Sequence, residues 1–180
     1  MGKTVAILNQ KGGVGKTTTA INIAAYLAKS GKTVLLVDFD PQGNATSGVG
    51  FSKDTAELTS HEVLLEPQQL ASAIKETATE RLYILPANAS LAAAEVELVS
   101  LPSRETKLRE ALQPAQYDYV IIDCPPALSL LTINALTAAD SVLVPVQAEY
   151  YALEGLGQLL NVVQRVRETV IRSWRYLALC

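Results

Sequence analysis

At 180 residues, with 49% hydrophobic residues and a formal net charge of −3, the chain is long enough for one domain with a sizeable core and is no simple polycation for nucleic acid. Its two cysteines, Cys124 and Cys180, have no paired spacing, which argues against a disulfide framework or a zinc site and for a reducing compartment. No apolar run reaches membrane-spanning length, the N-terminus enters a strand at once, and Met1-Gly2 is followed by Ala6 where a myristoylation motif needs Ser or Thr, so a cytoplasmic protein is expected.

The first predicted element is a buried strand over Thr4–Asn9. A helical pattern (Ala20, Ile21, Ile23, Ala24, Leu27) then runs from Lys16 to Ser30, where Gly31 ends it. Between them lies Asn9-Gln10-Lys11-Gly12-Gly13-Val14-Gly15-Lys16-Thr17-Thr18-Thr19. Strand, glycine loop and helix are the context of a phosphate-binding P-loop. Glycines let backbone N–H groups turn inward, and those groups together with the helix N-terminus cradle anionic oxygens. Lys16 can reach the β- and γ-phosphates, and the Thr17 hydroxyl can ligate Mg²⁺. The common pattern has glycine where this chain has Gln10, and Lys11 follows. A second lysine there is not needed to hold one nucleotide. It suits a group that reaches a partner's phosphates across an interface, an effect worth roughly 10³–10⁵ in rate; the plainer alternative is a solvated loop lysine.

A second strand is predicted over Thr33–Phe39, so the first two strands and their helix form a right-handed βαβ unit with a parallel pair. Asp38 and Asp40 stand at its C-terminal end, where open α/β sheets carry their ligand crevice. A carboxylate there can orient the attacking water. Asp40-Pro41-Gln42-Gly43-Asn44 is in any case a turn by composition. The following stretch to Leu65 reads less clearly, apart from a capped short helix at Thr59–Leu65 whose His61 is expected to be a lone surface histidine. Another short helix is expected in 67–74 and a short strand in 81–86. Amphipathic helices follow over Ser90–Ser100, with Leu91, Ala94, Val96, Leu98 and Val99 as its apolar positions, and over Ser103–Leu112.

Tyr117–Asp123 is a strand running into an aspartate, followed by Cys124-Pro125-Pro126. Downstream of a P-loop this is the Walker B arrangement, which puts Asp123 near magnesium. The two prolines stiffen a loop that can respond to the γ-phosphate, and Cys124 is expected to fill space. A helix is predicted over Leu128–Thr137, a strand over Ser141–Val146, a long helix with Arg165, Arg167 and Arg172 over Leu156–Ile171, and a further strand from Arg175.

Three stretches together carry a resemblance: Lys11–Thr18, Val37–Asn44 and Ile121–Pro126. The first is similar to the deviant Walker A of the ParA/MinD superfamily, and the other two resemble its ParA/Soj branch, the chromosome and plasmid partition ATPases. The resemblance runs from Thr4 to the last residue. It implies an α/β P-loop NTPase, a mostly parallel sheet with helices on both faces, as a single domain over 1–180. It implies Mg²⁺ and ATP as ligands. Lys11, Gly12, Gly13, Val14, Gly15, Lys16, Thr17 and Thr18 would hold the nucleotide, and Thr17, Asp38 and Asp123 the magnesium network. Lys11, Lys16 and Asp40 would carry catalysis, Asp40 by positioning water and Lys11 across a homodimer. It further implies a nucleotide sandwich dimer that binds DNA non-specifically, a nucleoid location, and hydrolysis stimulated by a ParB-type partner. Glu149, in the turn after the strand of Ser141–Val146, is suspected at the dimer interface. Family members continue past the point where this sequence ends, and that part supplies the adenine wall and most of the DNA-binding surface, so two alternatives stay open. One is a non-catalytic nucleotide- or partner-binding module. The other is a MinD-like membrane-associated ATPase, suggested by the basic amphipathic helix of Leu156–Ile171 but disfavoured, because any helix that covers a sheet carries such an apolar stripe, so no membrane partner is expected.

Overall fold

The computed structural model describes residues 2–147, 164 and 175–179. The expected long helix at 156–171 and Glu149 lie outside the described residues, apart from Gln164. The strands are β1 (Lys3–Ile7), β2 (Val34–Asp38), β3 (Lys75–Glu76), β4 (Leu82–Leu85), β5 (Tyr119–Asp123), β6 (Ser141–Val144) and β7 (Arg175–Leu179). They form one sheet in the order β3-β4-β2-β5-β1-β6-β7. Every pairing is parallel except β3 with β4, so the expected mostly parallel sheet is observed.

The strand sequences explain why the sheet is covered on both faces. Successive side chains point to opposite sides of a strand. Val5 and Ile7 of β1, Val34 and Leu36 of β2 and Ile121 of β5 join one cluster. Ala6, Leu35, Val37, Val120 and Ile122 join the other. All five residues of β2 are buried, as a parallel strand between two helical layers requires.

On the first face lies α1 (Lys16–Lys29), whose buried Ala20, Ala24 and Ala28 repeat every four residues and let the helix approach the sheet closely. The bulkier Ile21, Ile23 and Leu27 flank that stripe and are half-buried. The other face carries α3 (Ser60–Leu65), α4 (Leu70–Ala73), α5 (Leu91–Val99), α6 (Lys107–Leu112) and α7 (Leu130–Ala138), which contribute half of the buried residues of the second cluster. The short α2 (Asn44–Gly48) follows β2.

Most elements fall where the sequence pattern puts them, with these differences. In α5, Leu91, Ala94 and Leu98 are buried, but Val96 and Val99 point to solvent at 77% and 58% exposure. Seven of its nine residues are apolar, more than one helix stripe can bury. The next helix begins at Lys107 rather than Ser103, because Ser103 adopts a left-handed φ of 53° and Thr106 closes a turn onto its carbonyl. The antiparallel edge strand β3 carried no alternation in the sequence. The capped helix is confirmed at α3: Thr59 and Glu62 form a reciprocal capping box. His61 is not a bare surface residue. Its ring bridges Glu62 (3.0 Å) and Glu97 (2.8 Å) and so ties α3 to α5. Burial disfavours its charge, but the two carboxylates outweigh this and hold its pKa above 6.5.

Candidate functional site

The C-terminal ends of β1, β2 and β5 converge, and the loops that leave them carry the predicted site residues. β1 feeds the glycine loop. Gly15, the residue before α1, has φ 86°, a left-handed conformation that a Cβ would strain. A Cβ built at Gly12, Gly13 or Gly15 meets nothing within 4 Å, so the loop faces open space. Val14 is buried and pins the loop from behind. Lys16 is only 8% exposed, and its ammonium lies 3.3 Å from the Lys11 carbonyl, folded back over the loop.

β2 and β5 place their last residues side by side. Asp38 is opposite Asp123 in the parallel register, and Ile7 of β1 is opposite Asp123 on the other side. Both aspartates are fully buried. Their partners differ. Asp38 Oδ2 accepts hydrogen bonds from the backbone N–H and the hydroxyl of Thr46, both at 2.7 Å, and Oδ1 accepts from the Asp40 N–H at 3.3 Å. Burial pushes its pKa up to about 6 against the pull of those bonds. Neither oxygen of Asp123 completes a hydrogen bond among the described residues. Burial raises its pKa to about 7, the nearby Thr17 hydroxyl works against that rise, and the charges of Asp38 and Asp40 add to it.

Asp40 opens the turn after β2. Its Oδ1 accepts from the Gln42 N–H (2.9 Å) and its carbonyl accepts from the Gly43 N–H (2.9 Å). Gly43 has φ 63°, and a Cβ there would come within 2.7 Å of the Ala87 carbonyl, so only glycine fits. Asn44 donates to the Gln42 side chain, and Lys53 donates to the Gln42 carbonyl.

These loops enclose a cavity of about 310 Å³ lined by Gly12, Gly13, Gly15, Lys16, Thr17, Thr18, Asp40, Gln42, Asn44 and Pro126. The structure thus brings together the glycine loop, Lys16, Thr17, Thr18 and Asp40 on one cavity, with the buried Asp123 next to Thr17 and Asp38 next to Asp123 in the sheet. Lys11 stands on the exposed rim. Its ammonium lies 3.4 Å from Oε1 of Gln147, whose amide in turn donates to the Gly13 carbonyl. Cys124 is fully buried, as expected of a space-filling residue. A larger cleft of about 760 Å³, lined among others by Tyr83 and Tyr117, contains none of the predicted site residues.

Sequence reading missed Thr46, Gln147 and Ser60. Thr46 supplies two of the three hydrogen bonds to the Asp38 carboxylate, and the Ser60 hydroxyl donates to the Asp38 carbonyl at 2.6 Å. Gln147 follows the strand predicted over Ser141–Val146, where only Glu149 is singled out. Local sequence offers no pattern for any of them, because each contact joins residues far apart in the chain or packed beneath the site.

The donor set fits a hard divalent cation. Asp123 offers two buried oxygens without hydrogen bonds beside the Thr17 hydroxyl, and among the described residues no group of three or more His, Cys, Asp or Glu forms a metal cage. Mg²⁺ is commonly held this way, by one or two protein oxygens with the remainder from water and phosphate. Glycine N–H groups, Lys16 and the open cavity likewise suit a polyphosphate.

Comparison with known proteins places this geometry among relatives. The family described as AAA domain (AAA_31) matches residues 2–175. The sporulation initiation inhibitor protein Soj of Bacillus subtilis is 58% identical over 170 residues, which cover 93% of this chain and 67% of that protein. The chromosome partitioning protein ParA of Myxococcus xanthus is 54% identical over 170 residues, 93% of this chain and 60% of its own. This chain therefore spans about two thirds or less of the length of these relatives. Among solved structures, the Mycobacterium smegmatis protein described as cobyrinic acid a,c-diamide synthase, with bound ATP analog and magnesium, superposes with TM-score 0.94 at 42% identity, covering 99% of this chain and 74% of that one. Cyanothece McdA in complex with ATP gives TM-score 0.92 at 30% identity, covering 99% and 69%. No helix among the described residues is long and apolar enough to cross a membrane.

Proposed function

This chain belongs to the AAA domain family (AAA_31) and to the Soj/ParA group within its relatives, and from that premise we propose that it is a Mg²⁺-dependent ATPase of the chromosome- or plasmid-partitioning type. One observation carries the reading. A glycine-lined cavity has Lys16, Thr17 and Asp40 in its lining, and the buried carboxylate of Asp123 lies beside the Thr17 hydroxyl. The differently described M. smegmatis protein shares the fold, so the activity is argued from this site and not from the fold alone.

In this reading the backbone N–H groups of Gly12–Gly15 and the ammonium of Lys16 hold the phosphates, and the lysine leaves its parked contact on the Lys11 carbonyl to do so. Thr17 and Asp123 would hold magnesium, which would supply charge neutralisation to the phosphates. Asp38 joins the magnesium network from behind, through the loop that it fixes, since its oxygens already accept bonds from Asp40 and Thr46. The Asp40 carboxylate, on the cavity wall, orients the attacking water and accepts its proton. Val14 and Thr18 complete the loop, the first by packing and the second on the lining.

The finer reading comes with the family. The chain works as one domain and closes with a second copy around ATP. Lys11, exposed on the rim, crosses to the partner's phosphates. The dimer binds DNA non-specifically at the nucleoid in the cytoplasm, and a ParB-type partner stimulates hydrolysis and release. Equilibrium binding of Mg²⁺–ATP to this chain, with Lys16→Ala as control, tests the base of the reading. Tight, Lys16-dependent binding that weakens when magnesium is chelated is expected. Absence of binding, or binding indifferent to Lys16, would sink it.

A further inference from the structure

We infer that Thr46 is the positioning residue for Asp40: its buried hydroxyl ties the Asp38 carboxylate to the chain beyond β4 and so fixes the turn that presents Asp40 to the cavity. The kinetic consequence rests on the ATPase reading above, whereas the structural content rests on hydrogen bonds alone.

Thr46 is fully buried and is not part of the cavity lining, so it can act only through other groups. Its hydroxyl donates to Asp38 Oδ2 at 2.7 Å and accepts from the Ala87 N–H at 2.9 Å. Its backbone N–H reaches the same carboxylate oxygen at 2.7 Å. The one hydroxyl proton and a lone pair are therefore both used, in a continuous relay from Ala87 through Thr46 to Asp38. Bonds in such a chain polarise one another. The relay ends at Asp40, whose N–H donates to the other oxygen of Asp38. From there the turn is closed by Asp40 itself onto Gln42 and Gly43. Asp38 is thus the hub, and Thr46 is the side chain that holds the hub still. It also joins three separate segments, the end of β2, the start of α2 and the residues after β4, which pack at one corner of the site.

The chemistry separates a hydroxyl role from a volume role. Valine fills the same space but leaves the buried Ala87 N–H and a lone pair of Asp38 without partners, whereas serine keeps both bonds. The experiment uses the full chain as Thr46→Val and Thr46→Ser, with Thr46→Ala in place of valine if that variant does not fold. Three quantities are read: amide hydrogen exchange without nucleotide, Mg²⁺–ATP affinity, and single-turnover hydrolysis. In Thr46→Val, exchange at Asp40, Gln42 and Gly43 should quicken by about tenfold or more while β1 and β5 stay protected, as loss of one buried bond implies. Hydrolysis should fall by roughly 10–100-fold with ATP affinity within about threefold, the pattern of a lost orienting group and not of lost binding. Thr46→Ser should behave as wild type in all three. Unchanged exchange in Thr46→Val, or equal damage in Thr46→Ser, overturns the inference. The expected exchange difference between Thr46→Val and wild type, found together with no turnover by the wild-type chain, overturns the ATPase reading and leaves the positioning role supported.

Discussion

The two walls of the cavity are built on opposite principles. The glycine-loop wall is open: built Cβ atoms at Gly12, Gly13 and Gly15 meet nothing within 4 Å, and Lys16 folds back onto a backbone carbonyl. The facing wall, the turn of Asp40, Gln42 and Asn44 backed by Asp38 and Thr46, is closed. Its carboxylates, amides and hydroxyl are paired with one another, and a Cβ at Gly43 would strike the Ala87 carbonyl. The difference separates two uses of polar groups. One wall keeps donors for a ligand to satisfy, while the other fixes a geometry before any ligand arrives. Preorganised groups of the second kind aim charge without reorganising during reaction.

Four changes test that division. Asp40→Ala should lower single-turnover hydrolysis by about 10²–10⁴-fold while ATP still binds, because a general base or water-orienting group contributes in that range. Binding and turnover lost together would mean that Asp40 belongs to the holding wall instead. Gly43→Ala should destabilise the fold by about 1–3 kcal/mol in a denaturant melt, since φ 63° and the 2.7 Å approach to Ala87 both oppose a Cβ. Gly12→Ala is the mirror case. Its folding stability should stay within about 0.5 kcal/mol of wild type, yet Mg²⁺–ATP affinity should fall by roughly tenfold as the methyl enters the phosphate space. A destabilised Gly12→Ala with intact affinity would dissolve the contrast between the walls.

The fourth change lies outside the cavity, at the bridge that carries the second wall's support. His61 joins Glu62 and Glu97, and its neighbour Ser60 bonds the Asp38 carbonyl. Its folded pKa is raised, so the protonated bridge stabilises the fold fully below 6.5 and loses that contribution as pH rises through the folded value. The melting-temperature gap between wild type and His61→Gln should be widest just below pH 6.5 and should close at alkaline pH. A gap that does not depend on pH would assign His61 a packing role only.

Every strand but β3, the glycine loop and the three site segments were legible in the sequence alone. Those features are local: hydrophobic runs report buried strands, and glycine, lysine and threonine at fixed spacing report a phosphate loop. It also located the capping box of Thr59 and Glu62, whose chemistry spans one helical turn. It overstated the apolar face of α5, because the pattern shows which residues are apolar but not how many of them a neighbour covers, and Val96 and Val99 remain in solvent. Tertiary structure alone decided the different environments of two aspartates that look alike in the sequence. Parallel register set Asp38 and Asp123 side by side, and the path of α2 and the chain after β4 gave hydrogen bonds to the first and left the second without them. The physical reason is that a carboxylate's role depends on what donates to it, and here the donors come from segments that only the folded sheet brings together.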